Sequence, residues 1–327
     1  MTSASTPAIT VGIMTHNYGR YIREAIDSVL AQSRTDWELI VSDDASTDGT
    51  EQFVTPYLAD PRISYVRHPE NLGQAGNWGF LLAQGTAPII AILHADDSWL
   101  PGTLETALSA FAAEPDLDMF YGNWWRQTEG QPDRVLAKQE KPHVFSGYEE
   151  YKYQIVNNTC LSSAAFLTRR VTEAAGRPHP ELKMMVDGEY FLRVCANARK
   201  VQAVQTPLML YRVHSNSTTA VSTTNGVYIQ EREKFTEICS LWADTPRLRT
   251  NLRDLEYQQA KGIFSEGVAQ VVNGKNAAGL DLLCRAIKLR PLILLDPKIM
   301  LDYLLCKTGT PGFAFFRLVH RARFRQY

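Results

Sequence analysis

The sequence predicts an α/β fold in which helices flank a mostly parallel sheet, followed by a helical C-terminal region. Through the first two hundred residues, apolar runs alternate with segments whose apolar residues recur at helical spacing. The connections between these segments are short, which is typical of a parallel sheet covered by helices. Beyond about residue 218 only the helical spacing continues. We therefore expect a sheet domain over residues 1–217 and a helical region over residues 218–327.

The first strand, Ile9–Met14, is apolar throughout, and a helical stripe over Tyr21–Gln32 follows it. Further strands are expected over Trp37–Val41, Ile63–Val66 and Pro88–Leu93, and further helices from Thr50, over Ala75–Gln84 and from near Leu100. After Asp116 the strand-like runs are separated by long loops and fall at Met119–Tyr121, Ala164–Leu167 and Val201–Leu210. That irregularity favours an added antiparallel section. In the C-terminal region helical spacing covers 227–242, 248–272 and 277–289, with breaks at Gly274 and Pro291.

Composition limits the classes of function. The 327 residues are 45% hydrophobic and 21% charged, as in an ordinary globular protein, and the formal net charge of −1 gives no reason to expect a nucleic-acid partner. Five cysteines are scattered without a CxxC pair, which argues against a zinc site or a disulfide framework and fits a reducing cytosol. The first residues do not resemble a signal peptide, and no apolar stretch approaches the ~20 residues that cross a bilayer. We expect a cytoplasmic protein, soluble or peripheral to the inner face of the membrane.

Two adjacent carboxylates follow the most apolar strand. The run Pro88–Leu93 has no polar alternation, so it is expected to be buried on both faces, and Asp96 and Asp97 come just after it. Acids at this end of a buried strand lie where open α/β sheets bind ligands. Neighbouring like charges are best tolerated around a cation or a hydroxyl-rich ligand, and their hard oxygens suit Mg2+ or Mn2+. The structural alternative is a solvated turn in which Asp97 or Ser98 caps the next helix.

Polar residues also end the first two strands. Thr15 ends the first, and Asp43 and Asp44 end the second, where a carboxylate can accept hydrogen bonds from a nucleobase imide or a ribose. Turn chemistry favours Asp, Ser and Thr at such positions as well. Three polar clusters at three strand ends are nevertheless hard to explain by capping alone, and they indicate one crevice at the carboxyl edge of the sheet.

Four ordered blocks resemble family 2 glycosyltransferases of the GT-A fold. They are VGIMTHN at 11–17, IVSDDASTDGT at 40–50, NLG at 71–73 and HADD at 94–97. Together they span roughly the first hundred residues, with weaker similarity to about Ser217. The resemblance implies metal-dependent, inverting transfer of a sugar from a UDP-, dTDP- or GDP-sugar to an acceptor hydroxyl. These motifs do not distinguish a glycan from a lipid-linked or a protein acceptor. The resemblance favours bacterial surface polysaccharide assembly as the context.

The resemblance also implies roles for individual residues. Thr15 and Asp44 would contact the base with Asp43 beside them, while Asp96 and Asp97 would hold the ribose and a divalent metal, Mn2+ or Mg2+, on the diphosphate. The commonest form of the last motif carries an acid at position 94, where this chain has histidine. We expect His94 to be a strand-end histidine rather than a metal neighbour.

Single-displacement transfer needs a base within reach of the acceptor hydroxyl. Asp187 is the candidate, because it lies just before a predicted helix and resembles the acidic pair of the family, with Arg193 six positions on. The pair is incomplete here, since Val186 precedes Asp187. Glu189 is the alternative base, and a capping role is the structural alternative for Asp187.

A second motif, Tyr211-Arg212-Val213-His214, follows the strand-like run 201–210. In the family a similar motif closes over the diphosphate, which implies that Tyr211 and Arg212 contact the substrate and that His214 ligates the metal. The polar segment Ser215–Thr224 after it is expected to be a loop that orders over bound donor.

Two other classes of function remain open at this point. A sugar-phosphate nucleotidyltransferase would need a glycine-rich basic loop after the first strand, and His16–Arg20 has no glycine cluster. A non-catalytic nucleotide-sugar-binding protein would have lost the candidate acids, and all of them are present. The C-terminal segment Phe313–Tyr327 mixes phenylalanines with arginines, so it is expected either to pack on the core or to lie on an anionic membrane.

Overall fold

The structure is a computed structural model that describes residues 6–128, 134–135, 142–157, 160–215, 217, 227–243 and 245–308. The chain divides into two compact units, Met1–Asn225 and Gly226–Tyr327. The predicted C-terminal segment Phe313–Tyr327 and most of the predicted loop Ser215–Thr224 lie outside the described residues.

The first unit is built around one mixed sheet. Its described strands are β1 (Ile9–Thr15), β2 (Trp37–Asp43), β3 (Ile63–Arg67), β4 (Ile89–His94), β5 (Ser98–Trp99), β6 (Leu117–Thr128), β7 (Arg134–Val135), β8 (His143–Ser146), β9 (Ala165–Thr168) and β10 (Lys200–Val213). The order across the sheet is β3-β2-β1-β4-β9-β6-β10-β5, with β7 beside β6 and β8 beside β10. Strands β1 to β4 pair in parallel, and β9 is inserted antiparallel between β4 and β6. The predicted α/β class and the added antiparallel section are both confirmed.

Seven helices accompany this sheet in the described residues of the first unit. They are α1 (Gly19–Leu30), α2 (Thr50–Val54), α3 (Gly73–Leu82), α4 (Thr103–Ala113), α5 (Gly147–Asn157), α6 (Arg169–Ala175) and α7 (Val186–Asn197). The helix expected from near Leu100 is present, but the structural alternative in which Asp97 or Ser98 caps it is wrong. Ser98 instead pairs with β10, and α4 begins only after Gly102, whose φ of +82° forms the turn ahead of it.

The core explains why the apolar runs form central strands. Every residue of β1 is buried, because the strand lies between β2 and β4 and is covered on both faces. Packing there is close: a Cβ at Gly12 would lie 2.9 Å from Ile92 Cδ1 and 3.1 Å from Leu81 Cδ1. The parallel register aligns Thr15 with Asp43 and Met14 with His94. The three strands therefore deliver their polar C-terminal residues to one edge.

The second unit is helical, as the sequence predicts. Its described helices are α8 (Val227–Trp242), α9 (Pro246–Val272), α10 (Asn276–Leu289) and α11 (Pro297–Thr308). Thr245 caps α9 by accepting a hydrogen bond from Leu248 N, and a core of its own is built around Ile263, Phe264 and Leu283. Among the helices of the described residues, none has the length and apolar character needed to span a membrane.

Candidate active site

A cavity of about 700 Å3 opens at the carboxyl edge of β1, β2 and β4. It brings together six of the residues predicted from the sequence, namely Thr15, Asp44, Asp96, Asp97, Asp187 and Tyr211. A volume of this size accommodates a small-molecule ligand. The side chains of the other four predicted residues, Asp43, Glu189, Arg212 and His214, contact protein groups around it and are described below.

On the side of β1 and β2, neighbouring acids have different surroundings. Both Asp43 carboxylate oxygens are occupied, since Oδ1 accepts a hydrogen bond from Ser46 N at 2.8 Å and Oδ2 accepts one from Tyr65 Oη at 2.6 Å. Asp44 lines the cavity, and its Oδ1 accepts a hydrogen bond from Leu72 N at 2.6 Å. Asp44 therefore faces the cavity, while Asp43 holds the loop behind it through its two hydrogen bonds.

Thr15 supplies the neighbouring wall. Its carbonyl accepts the Asp44 N–H at 2.9 Å, which ties the ends of β1 and β2 together. Its hydroxyl Oγ1 is buried and has no hydrogen-bond partner among the described residues. A buried hydroxyl without a partner is costly, and a ligand in the cavity would satisfy it.

The loops after β1 and β2 are held in a strained conformation. Asn17 and Ala45 adopt φ values of +60° and +58°, in the left-handed region that favours glycine. Hydrogen bonds from Asn17 N to Ser46 Oγ and from Thr47 N to Asn17 Oδ1, both 2.8 Å long, join the two loops. Strain of this kind costs about 1–3 kcal/mol per residue and persists where the surroundings fix the backbone.

At the end of β4, His94, Asp96 and Asp97 form one cluster. A ring nitrogen of the histidine and one oxygen of each acid lie within 4.8 Å of one another. Burial, reinforced by the charge of Asp96, raises the pKa of Asp97 well above its ordinary value, and burial lowers the pKa of His94. Two adjacent carboxylates beside an imidazole whose neutral form is favoured by burial fit a divalent cation.

Two serines that the sequence reasoning missed hold this cluster in place. Ser163 Oγ accepts a hydrogen bond from His94 N at 3.1 Å and donates to Asp97 Oδ2 at 2.8 Å, while Ser162 Oγ lies 2.9 Å from His94 Nε2. Both serines belong to a short 3-10 turn, Ser162–Ala164, just before β9. Nearly seventy residues separate them from the cluster, and two serines before a strand give no signal of such contacts.

The Tyr211-Arg212-Val213-His214 motif lies at the end of β10, against the same acids. Arg212 N donates to Asp97 Oδ1 at 3.1 Å, and Arg212 Nε donates to the carbonyl of Asp96 at 3.0 Å. The guanidinium also forms an ion pair with Glu24 of α1 at 2.6 Å. His214 Nε2 lies 3.2 Å from Asp96 Oδ2, and its buried Nδ1 has no hydrogen-bond partner among the described residues.

Across the cavity, Asp187 lies at the N-terminus of α7. The helix begins at Val186, so Asp187 is in its first turn and not before it as expected, and the N-cap residue is Met185. The carboxylate is half-buried, and its Oδ1 accepts a hydrogen bond from Gly188 N at 2.7 Å. Burial raises the pKa of Asp187 to about 6. A carboxylate with a raised pKa is a better proton acceptor near neutral pH than an ordinary one.

Glu189, the alternative base, is fully buried in an ion pair. Its two carboxylate oxygens accept hydrogen bonds from Arg193 Nε at 2.6 Å and Arg193 Nη2 at 2.8 Å. Arg193 also donates to the carbonyls of Ala175 and Arg177, which lie at the end of α6 and just beyond it. The pair therefore anchors α7 to the loop that follows α6, and Lys183 and Met184 of that loop line the cavity.

Comparison with known proteins is consistent with this geometry. Residues 10–175 match the model of glycosyl transferase family 2. WcaA of Escherichia coli K12, a glycosyl transferase named for colanic acid biosynthesis, is 37% identical over 197 residues, which cover 58% of this chain and 67% of WcaA.

Two solved structures share the fold. Staphylococcus aureus TarS 1–349 in complex with UDP-GlcNAc superposes with a TM-score of 0.66 at 16% identity, covering 91% of this chain and 90% of that one. The mannosyltransferase PcManGT of Pyrobaculum calidifontis, in complex with GDP-Man and Mn2+, has a TM-score of 0.59 at 17% identity, covering 98% of this chain and 81% of that one.

Proposed function

This chain belongs to glycosyl transferase family 2 and is a glycosyltransferase, and we propose that it transfers a sugar from a nucleotide-diphosphate sugar to an acceptor hydroxyl with inversion and with the help of a divalent metal. One observation carries the proposal. A single cavity has Thr15, Asp44, Asp96 and Asp97 on the strand edge and Asp187 on the facing helix. That arrangement suits a donor held by polar groups on one side and a base on the other.

Different residues of the cavity would bind different parts of the donor. Thr15 and Asp44 contact the base of the nucleotide, with Asp43 bracing the Asp44 loop through its bonds to Ser46 and Tyr65. Asp96, Asp97 and His214 would hold the metal, and Tyr211 and Arg212 approach the diphosphate. A bound divalent cation supplies stabilisation of the negative charge on the leaving diphosphate.

Asp187 accepts the proton of the acceptor hydroxyl as its oxygen attacks the anomeric carbon. The diphosphate leaves from the opposite face, so the configuration at that carbon inverts. Glu189 does not serve as the base in this proposal, because both of its oxygens are engaged by Arg193 in the protein interior.

The donor is a UDP-, dTDP- or GDP-sugar, and the acceptor belongs to surface polysaccharide assembly. UDP-GlcNAc in TarS and GDP-Man in PcManGT support a nucleotide sugar, and the name of WcaA supports the polysaccharide setting.

A panel of UDP, dTDP and GDP with MnCl2 in a thermal-shift assay tests the donor. Saturation to 100 times the Kd stabilises the native state by about 2.7 kcal/mol. No shift with any of the three would contradict the proposal.

Product analysis separates this activity from nucleotidyl transfer. Metal-dependent release of free nucleoside diphosphate from a nucleotide sugar supports the glycosyltransferase mechanism. Release of pyrophosphate from a nucleoside triphosphate and a sugar phosphate would instead support a nucleotidyltransferase.

We further propose that the C-terminal segment holds the enzyme near an anionic membrane, where a lipid-linked or polysaccharide acceptor lies. The support is its sequence, since residues 313–327 combine phenylalanines with four arginines on a chain that is nearly neutral overall. Deleting Gly312–Tyr327 should reduce binding to anionic liposomes and leave donor hydrolysis unchanged. The binding of the full chain should weaken with salt, because charges are screened within about 10 Å at 0.1 M. A truncated protein that is insoluble would show that the segment is core packing.

A further inference from the structure

The sequence-based expectation for His94 was a structural histidine at the end of β4. In the structure, the imidazole is only half-buried, and it lines the cavity. One of its ring nitrogens lies within 4.8 Å of an oxygen of Asp96 and of an oxygen of Asp97. The imidazole thus occupies the position at which the commonest form of the motif has a third acid.

The contacts of the His94 ring indicate which of its two nitrogens is available to a metal ion. Nε2 lies 2.9 Å from Ser162 Oγ, and among the described residues no hydrogen bond to Nδ1 is found. Histidines that ligate metals typically donate their second ring N–H to a neighbouring acceptor, which fixes the tautomer and the ring orientation. The Ser162 hydroxyl can accept such a bond from Nε2, and in that tautomer the Nδ1 lone pair is free.

We propose that His94 joins Asp96, Asp97 and His214 as a ligand of the divalent cation, through Nδ1, and that this second imidazole nitrogen increases the selectivity of the site for Mn2+ over Mg2+. Imidazole nitrogen suits first-row transition ions, whereas Mg2+ prefers oxygen ligands in a strict octahedral arrangement. Ser162 is then a positioning residue for the ligand. The inference rests on the proposed function, because it concerns the same metal site.

Calorimetric titration of MnCl2 and MgCl2 into the full chain with UDP tests the selectivity. In His94→Asp, which restores the acid, the ratio of Mn2+ to Mg2+ affinity should fall at least about 10-fold. Ser162→Ala should weaken Mn2+ binding by about 10-fold, the lower end of the range for lost outer-shell partners. His179→Gln, a histidine outside the cavity, is the matched control and should leave both affinities unchanged.

Electron paramagnetic resonance of bound Mn2+ gives a direct readout on the folded wild-type protein. A 14N coupling should be present in the wild type and in His179→Gln, and it should be lost or reduced in His94→Asn. An unchanged coupling in His94→Asn, or an unchanged affinity ratio in His94→Asp with UDP binding intact, would overturn the assignment of His94 alone. If the wild type binds none of UDP, dTDP and GDP with Mn2+, the proposed function fails and this assignment with it.

Discussion

The two walls of the cavity hold their acids in different ways. On the strand edge, Asp97 accepts hydrogen bonds from both Arg212 N and Ser163 Oγ, and Asp44 accepts one from Leu72 N. On the helix wall, the Asp187 carboxylate accepts hydrogen bonds from backbone N–H groups of its own first helical turn, those of Gly188 and of Asp187 itself. The strand-edge acids are fixed by distant parts of the chain, whereas Asp187 is held by its own helix.

Under the proposed mechanism, this difference separates the residues that bind the donor and the metal from the residue that accepts the proton. Carboxylates whose oxygens are fixed by protein donors keep one geometry, as a site for a cation and a diphosphate requires. Burial raises the pKa of Asp97 as well as that of Asp187. Within the described residues, however, the Asp187 carboxylate has no donor from a distant part of the chain to hold it, and its pKa of about 6 suits a group that must take up a proton near neutral pH. Changes on the strand edge should therefore weaken ligand binding, and changes at Asp187 should slow turnover.

Replacement of the proposed base should produce the largest effect. Asp187→Asn should lower turnover by about 10²- to 10⁴-fold, the usual contribution of a general base, and leave donor affinity nearly intact. Nucleoside diphosphate release measures the first quantity and calorimetry of the donor measures the second. Asp116→Asn, at an exposed acid outside the cavity, is the control. If Glu189→Gln showed this pattern and Asp187→Asn did not, the base would lie two residues further along α7.

The anchor behind the helix wall should affect stability more than binding. Arg193→Ala removes the arginine that pairs with the buried Glu189 carboxylate, and loss of one member of a buried ion pair typically costs about 3–5 kcal/mol. Urea denaturation of this variant should show a lower midpoint with an unchanged slope. Arg34→Ala, at an arginine whose partner Asp36 is partly exposed, provides the comparison and should cost less. Equal losses in the two variants would show that the Glu189 pair does not anchor α7.

A substitution at the strand edge should weaken the metal-dependent affinity for the nucleotide. Asp97→Asn should weaken Mn2+-dependent nucleotide binding by about 10- to 100-fold or more, because even an outer-shell change typically has that effect, while the fold survives. Circular dichroism checks the fold, and a nucleotide titration with and without MnCl2 gives the affinity. Unchanged Mn2+-dependent affinity in Asp97→Asn would remove Asp97 from the metal site.

The smallest expected effect is the dependence of turnover on pH. The pKa of Asp187 is raised to about 6, and the base is active when deprotonated. Turnover should therefore rise about 10-fold between pH 5 and pH 7, since the deprotonated fraction rises by that factor, and then level off. Asp187→Asn should lack this rise, and a wild-type profile that is flat from pH 5 to 8 would contradict the assignment.

Much of the strand edge is predictable from the sequence, because its signals are local. A largely apolar run followed by polar residues predicts both a buried strand and the place where it ends, and β1, β2 and β4 follow that pattern. Parallel pairing then brings Thr15, Asp44 and Asp96 to one edge without further information. The resemblance to the family adds their expected roles, which remain predictions.

Contacts across long sequence separations are not predictable in this way. Ser162 and Ser163 reach the β4 cluster only because β9 is inserted beside β4, and one sequence does not specify that insertion. The engagement of Glu189 is different. Its partner Arg193 lies four residues along the same helix, a spacing at which opposite charges commonly pair, so this contact was accessible from the sequence.

Arg193 holds the end of α6 and the start of the following loop by donating hydrogen bonds to two main-chain carbonyls, those of Ala175 and Arg177. Every residue type carries such a carbonyl, so this contact does not depend on which amino acids the loop contains. The loop can therefore change its side chains at the cavity, including those at positions 183 and 184, while Asp187 keeps its place. Substitutions at positions 183 and 184 should therefore alter this wall of the cavity without moving the proposed base.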